Sequence, residues 1–184
     1  NFTADGWVEA LKKGHTFLSS GPVVEFAVNG QMPGDSVRMS TAGAVTVEGK
    51  VWSSTPIRLV RVYREGKVWK DLAVGANRTE FAFREQAPVT GSGWFSLVVE
   101  SDELPPASSK VYAQAVTNAV RVYVGDGKIR SRASAEYFLE WIQRLRKQIS
   151  DPSLWRSEAE RARAYADLDA AGKVYQARAA EAGR

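Results

Sequence analysis

The sequence predicts a mainly β protein: an antiparallel β-sandwich of immunoglobulin-like type, with a short N-terminal helix and C-terminal α-helices. Three observations predict it. Between about Val23 and Val124, apolar and polar residues alternate in short runs of period two. Gly, Pro, Asn and Ser separate those runs, and no helical pattern interrupts residues 20–124. At both ends of the chain the period becomes helical. A strand that alternates has one dry face and one wet face, so two sheets must stack their dry faces, about 10 Å apart.

Each element has its own local reason. In TADGWVEALKK, residues 3–13, Thr3 or Asp5 can cap a short helix. Gly14 stands where a left-handed C-terminal residue is wanted, and Trp7, Val8 and Leu11 share one face. The first long strand follows, with Val24, Phe26 and Val28 alternating with Val23, Glu25 and Ala27. Asn29-Gly30 is a hairpin turn signal. Val37 and Met39, then Val45, Val47 and Val51, continue the alternation. Residues 57–63 are another strand, turning at Glu65-Gly66 into Val68-Trp69. Phe81 and Phe83, then Phe95, Leu97 and Val99, carry it further. Residues 110–117 and 119–124 complete the set of about eight strands.

From Ser134, taken as an N-cap, the pattern is helical again. Phe138, Trp141, Ile142, Leu145 and Ile149 form an apolar stripe. Asp151-Pro152 breaks that helix. Residues 153–182 form an Ala-rich helical stretch with a thin stripe of Ala162, Tyr165, Leu168, Tyr175 and Ala179. So little apolar area must lie on other structure, since a large buried side chain contributes only about 1.5–3 kcal/mol. The organisation read from these patterns is residues 1–20, a helix and linking strand; 21–124, the sandwich; and 125–184, a helical appendage packed on the sandwich or on a partner domain.

Composition restricts the chemistry. The chain has 184 residues, no cysteine and one histidine, His15. Disulfides, thiolate metal sites and a cysteine nucleophile are excluded. Hydrolytic zinc and iron sites need several imidazoles together with carboxylates. The formal net charge of +4 is spread along the chain without blocks of like charge, so neither nucleic acid nor a membrane is expected as a partner. No apolar stretch is long enough for a membrane span. The opening at Asn1, with helical patterning within three residues, reads as a piece of a longer polypeptide.

The candidate chemical residues are few. His15 reads as a surface histidine at the start of a strand, lacking a second imidazole. Ser19 and Ser20 read as turn-forming hydroxyls before Gly21-Pro22, with no nucleophile elbow. Gly125-Asp126-Gly127 reads as a tight turn, and Glu100, Asp102 and Glu103 as a solvated loop with calcium as the weaker option. Asn1-Phe2-Thr3 and Asn77-Arg78-Thr79 match the glycosylation pattern, which is too short to decide anything. No catalytic, cofactor-binding or metal-ligating residue is assigned. Six tryptophans call for an account. Trp52 and Trp94 fall opposite the valine and phenylalanine rows. The C-terminal helices or an absent domain are expected to cover them. Left uncovered, Trp52, Trp69 and Trp94 form a candidate exposed aromatic contact surface for a glycan or a protein.

Residues 7–37, WVEALKKGHTFLSSGPVVEFAVNGQMPGDSV, and 115–146, AVTNAVRVYVGDGKIRSRASAEYFLEWIQRLR, resemble the C-terminal region of CehA/McbA-type metallohydrolases of the PHP superfamily. The shared elements are a helix, Gly14, the strand Thr16-Phe17-Leu18, the Ser19-Ser20-Gly21-Pro22 turn and the G-x-x-P-G turn at Gly30–Gly34. A last strand and a following helix complete them. Ser19-Ser20 and Asn118-Ala119 depart from residues often found in that family. The resemblance implies an accessory C-terminal domain whose partner is an upstream catalytic barrel of the same polypeptide. A divalent metal is then expected only in that upstream domain, with no cofactor in this chain. The family's late D-x-H metal motif has no counterpart here, so no catalytic residue carries over. The sequence leaves the location open, with periplasmic or secreted favoured over cytoplasmic.

Overall fold

A computed structural model describes residues 3–76, 78–101 and 113–182. The acidic pair Asp102 and Glu103, and Asn77 of the glycosylation pattern, lie outside the described residues. Two compact units divide the chain, Asn1–Ile129 and Arg130–Arg184.

The first unit begins with α1 (Ala4–Lys13). Thr3 caps it, its side chain accepting from the Gly6 N–H at 3.1 Å, and Gly14 ends it at φ 79°. Among the described residues ten strands follow, in order β1 (Phe17–Ser19), β2 (Val23–Val28), β3 (Ser36–Met39), β4 (Gly43–Trp52), β5 (Leu59–Arg64), β6 (Lys67–Leu72), β7 (Glu80–Val89), β8 (Gly93–Glu100), β9 (Gln114–Thr117) and β10 (Val120–Val124). They make a β-sandwich of a seven-stranded and a three-stranded sheet.

In the larger sheet β8 is central. It pairs β5 on one side, and β9 and β10 in turn on the other; β6 extends β5, β1 extends β9 and β3 extends β10. The smaller sheet is β2–β4–β7, antiparallel throughout. One pair departs from the expected antiparallel pattern: β3 runs parallel to β10. The Asn29-Gly30 turn explains this. Both residues have positive φ (46° and 74°), and they close a tight turn whose only bridge is Val28 to Gln31. The chain then leaves the smaller sheet and enters the larger one instead of completing a hairpin.

Alternation does the folding work that the sequence implies. Val24, Phe26, Val28, Val45, Val47 and Val51 from the smaller sheet face Val60, Val62, Phe95, Leu97, Val99, Ala115, Val120 and Val122 from the larger, all buried in one core. Gly49 lies in the inward row between Phe26 and Phe83. A side chain there would come within 2.8 Å of the Phe83 ring, so the glycine and the phenylalanine are a matched pair.

The second unit is a helical hairpin of α2 (Arg132–Gln148) and α3 (Glu158–Glu181). Its caps differ from the expected ones. Ser131, not Ser134, caps α2, its hydroxyl accepting from the Ser134 N–H at 3.1 Å. Starting earlier lets Arg132 pair with Glu136 at 2.8 Å. The stretch 153–182 is likewise not one helix: a 3-10 turn, Pro152–Leu154, precedes α3, which Ser157 caps. Phe138 stacks on Tyr175 with ring centroids 4.8 Å apart, Arg146 pairs with Asp169, and the Trp155 indole N–H donates to the Ile149 carbonyl at 3.0 Å.

Candidate functional site

Three segments distant in sequence meet at the end of α1, and glycine makes the meeting possible. A side chain on Gly34 (φ 96°) would sit 2.3 Å from the Lys13 carbonyl oxygen and 2.6 Å from the Gly14 carbonyl carbon. One on Gly14 would sit 2.4 Å from Asn118 Nδ2. Backbone therefore packs on backbone, and hydrogen bonds close the contact. Asn118 Nδ2 donates to the Gly14 carbonyl at 3.0 Å, and the Asn118 N–H to the Thr16 carbonyl at 3.0 Å. The Gly34 N–H donates to the Ala119 carbonyl at 2.9 Å, and Arg121 Nη1 to the Gly34 carbonyl at 3.2 Å. Asn118 also interrupts the strand between β9 and β10. At that interruption the Leu97 N–H donates to the Thr117 hydroxyl at 2.9 Å, so no buried donor is orphaned.

His15 belongs to this corner. It is partly buried, and its Nε2 lies 2.8 Å from Asp35 Oδ1. The sequence places it at the start of a strand but gives no hint of this partner, 20 residues away. Ser19 makes the turn expected of it: its hydroxyl accepts from the Gly21 N–H at 2.9 Å and donates to the Pro22 carbonyl. Neither hydroxyl nor imidazole is arranged for nucleophilic attack. No cluster of three His, Asp or Glu side chains fit to hold a metal occurs among the described residues. No described helix is long and apolar enough to cross a membrane. Gly125 (φ 55°) and the Gly127 N–H, donating to the Val124 carbonyl at 3.0 Å, form the turn at 125–127.

What the corner does is hold α1 in a fixed direction. None of its residues is buried, and its apolar side faces solvent: Trp7 is 54% exposed, Val8 40% and Leu11 44%. The outer face of the larger sheet is apolar as well. Leu18 (80% exposed), Val116 (41% exposed) and Val98 form one cross-strand row ending at Arg61. Trp94 and Tyr63 share this outer side, where Ser96 is buried. At the end of the row Arg61 donates to both carboxylate oxygens of Asp71, and these hydrogen bonds hold the Asp71 carboxyl below the usual carboxylate range.

The three tryptophans singled out from the sequence do not form one surface. Trp52 is on the outer face of the smaller sheet, in a row with Val23 and Glu80. Trp94 is on the outer face of the larger sheet, beside Arg121. Trp69 points inward at a register shift in the β5–β6 ladder; it packs on the core, edge-on to Phe95 with centroids 5.9 Å apart. The two layers and the bulge separate them, and all three are half-buried. The exposed aromatic group lies elsewhere, at Tyr137, Phe138 and Trp141 on α2. The sequence places Phe138 and Trp141 in the apolar stripe of that helix. The scarcity of large side chains on α3 was the available signal that one partner helix could not cover that stripe.

No family model matches the chain, and no curated protein matches it. Among solved structures it is similar to a fibronectin(III)-like module of CbhA from Clostridium thermocellum, at 13% identity, TM-score 0.34, covering 58% of this chain and 100% of that one. It is also similar to the CARDB domain of the PF1109 protein from Pyrococcus furiosus, described in complex with di-metal ions, at 20% identity, TM-score 0.33, covering 56% of this chain and 96% of that one. Neither likeness bears on function.

Proposed function

We propose that this chain is a non-catalytic accessory domain of a PHP-type metal-dependent hydrolase, seated against the catalytic barrel of the same polypeptide through α1 and the apolar outer face of the larger sheet. The observation that carries the reading is the locked corner under α1. Gly14, Gly34 and Asn118 come from the segments that carry the family resemblance, and together they hold an amphipathic helix with its apolar side turned away from its own core. A helix held so firmly without a fully buried residue of its own has its value in what it presents. Metal chemistry then belongs to the barrel, and the sandwich contributes a rigid support beside it.

Two experiments test this. Reading the gene upstream of Asn1 is expected to give a barrel-forming segment with several His and Asp/Glu residues, including a D-x-H motif; its absence sinks the proposed parentage. Incubating the isolated chain with zinc, manganese or iron and assaying phosphoester, ester and amide substrates is expected to give no turnover. Stoichiometric metal binding with turnover would overturn the non-catalytic assignment.

A further inference from the structure

Going beyond the docking role, we infer that the outer face of the β2–β4–β7 sheet is a groove for a neutral oligosaccharide, with Trp52 as the stacking platform and Glu25, Lys50 and Glu80 as its hydrogen-bonding groups. Register sets the layout. Three successive cross-strand rows read Val23–Trp52–Glu80, Glu25–Lys50–Ala82 and Ala27–Glu48–Arg84. Ala27 and Ala82, the small side chains in these outward rows, lower the floor to an open trough of about 600 Å³. It shares Lys50 and Ala82 with a second trough of about 460 Å³ that reaches Trp52, Arg78 and Glu80.

The polar groups along these troughs divide into two kinds. Glu48 and Arg84 are tied to each other across the strands, as is usual on a wet sheet face. The side chains of Glu25, Lys50, Arg78 and Glu80 make no hydrogen bond or ion pair with other described residues. Glu25 and Lys50 are direct cross-strand neighbours of opposite charge. Their separation leaves acceptor and donor free at the trough edge.

These features select the ligand. A half-buried indole has few rotamers left, so it offers a fixed apolar plane suited to the C–H face of a pyranose. Free carboxylates accept from sugar hydroxyls and the ammonium donates to them. Glu25, Glu48 and Glu80 balance Lys50, Arg78 and Arg84 on this face, so a polyanion such as nucleic acid gains no net attraction. An extended peptide would be read by a sheet edge rather than by this face.

The test uses the full chain, isotopically labelled, titrated with soluble neutral hexasaccharides: β-1,4-glucan, β-1,3-glucan, β-1,4-mannan and chitin types. At least one is expected to shift the amides of Ala27, Gly49 and Ala82 and the indole N–H of Trp52 in a saturable way. Trp52→Ala is expected to weaken that binding by about tenfold or more. Lys50→Met, a change on an exposed strand face that leaves the core intact, is expected to weaken it several-fold while the spectrum stays dispersed. No saturable shift with any of the four at about 10 mM, or shifts confined to residues of the larger sheet, overturns the groove. Because the readout is confined to the smaller sheet, its failure leaves the docking proposal untouched, and the reverse holds too.

Discussion

The outer faces of the two sheets are built on opposite plans. On the smaller sheet the outward rows carry Val23 and Trp52 at one end and otherwise Glu25, Lys50, Glu48, Arg84, Thr46 and Gln86, and two of the cross-strand neighbours pair: Arg84 with Glu48, and Gln86 Nε2 donating to the Thr46 hydroxyl at 2.9 Å. On the larger sheet the outward side chains include Leu18, Val116, Val98, Tyr63 and Trp94. The first plan is that of a surface facing water, and the second is the kind of apolar surface the proposed docking would cover. The contrast is already present in the strands: β4 reads GAVTVEGKVW, one side apolar, whereas β8 reads GWFSLVVE, apolar on both. Strict alternation reports which side is dry only when the other side is wet.

Changes in the shared core should affect both plans equally and cost most. Phe95→Ala removes a side chain that is 1% exposed at the centre of the sandwich. It is expected to lower stability by about 3–5 kcal/mol, read from the denaturant midpoint. A drop below about 1 kcal/mol would mean that the two layers are not sealed there.

Gly34→Ala comes next, at about 2–3 kcal/mol, because it adds a backbone collision to an unfavourable φ. Gly30→Ala is its internal control. Its φ is also positive, at 74°, but nothing lies within 4 Å of the added carbon, so about 1 kcal/mol is expected. Equal losses at the two glycines would contradict the locked corner.

The outer faces themselves should separate function from stability. Arg84→Ala, which breaks an exposed ion pair, is expected to change stability by less than about 0.5 kcal/mol. Leu18→Ser with Val116→Ser is also expected to leave the isolated chain nearly as stable, since both side chains are exposed. In the proposed parent polypeptide, however, that pair should loosen the sandwich from the barrel, seen as faster proteolysis between the two.

Acid gives the smallest effect. Arg61 depresses Asp71, and the Ser153 backbone N–H, followed by its hydroxyl, depresses Asp151. A carboxyl whose folded value is lowered adds stability above its unfolded value and loses it as pH falls through the lower, folded one. The loss should therefore begin below about pH 4. Both groups are fully exposed, so the effect is screened and small. Asp71→Asn should flatten the acid limb of the stability curve slightly; an unchanged limb would mean that the Arg61 contact is not maintained in solution.

Much of the fold was legible because valine and phenylalanine rows with period two leave few alternatives. The α1 caps, the inward rows of β2, β4 and β8 and the two-residue turns at Asn29-Gly30 and Glu65-Gly66 follow from residue type alone. Long-range placement was less legible. Nothing local in His15 points to Asp35, or in Gly34 to Gly14, because the contact depends on where β3 crosses to the larger sheet. Trp69 was misjudged because a register shift turns its ring inward, and shifts of that kind leave no mark in an alternating pattern. On α2, five large residues form an apolar stripe, and a facing helix supplied mainly with alanines leaves Phe138 and Trp141 of it exposed.

Hydroxyl-radical footprinting tests the two-plan account most directly, comparing the chain alone with the same chain inside the proposed parent polypeptide. Trp7, Leu11, Leu18 and Val116 should be oxidised readily in the first and shielded in the second, while Val23, on the smaller sheet, keeps its rate in both. Equal oxidation of all five in the two samples would contradict the claim that the α1 side of the sandwich is a covered surface.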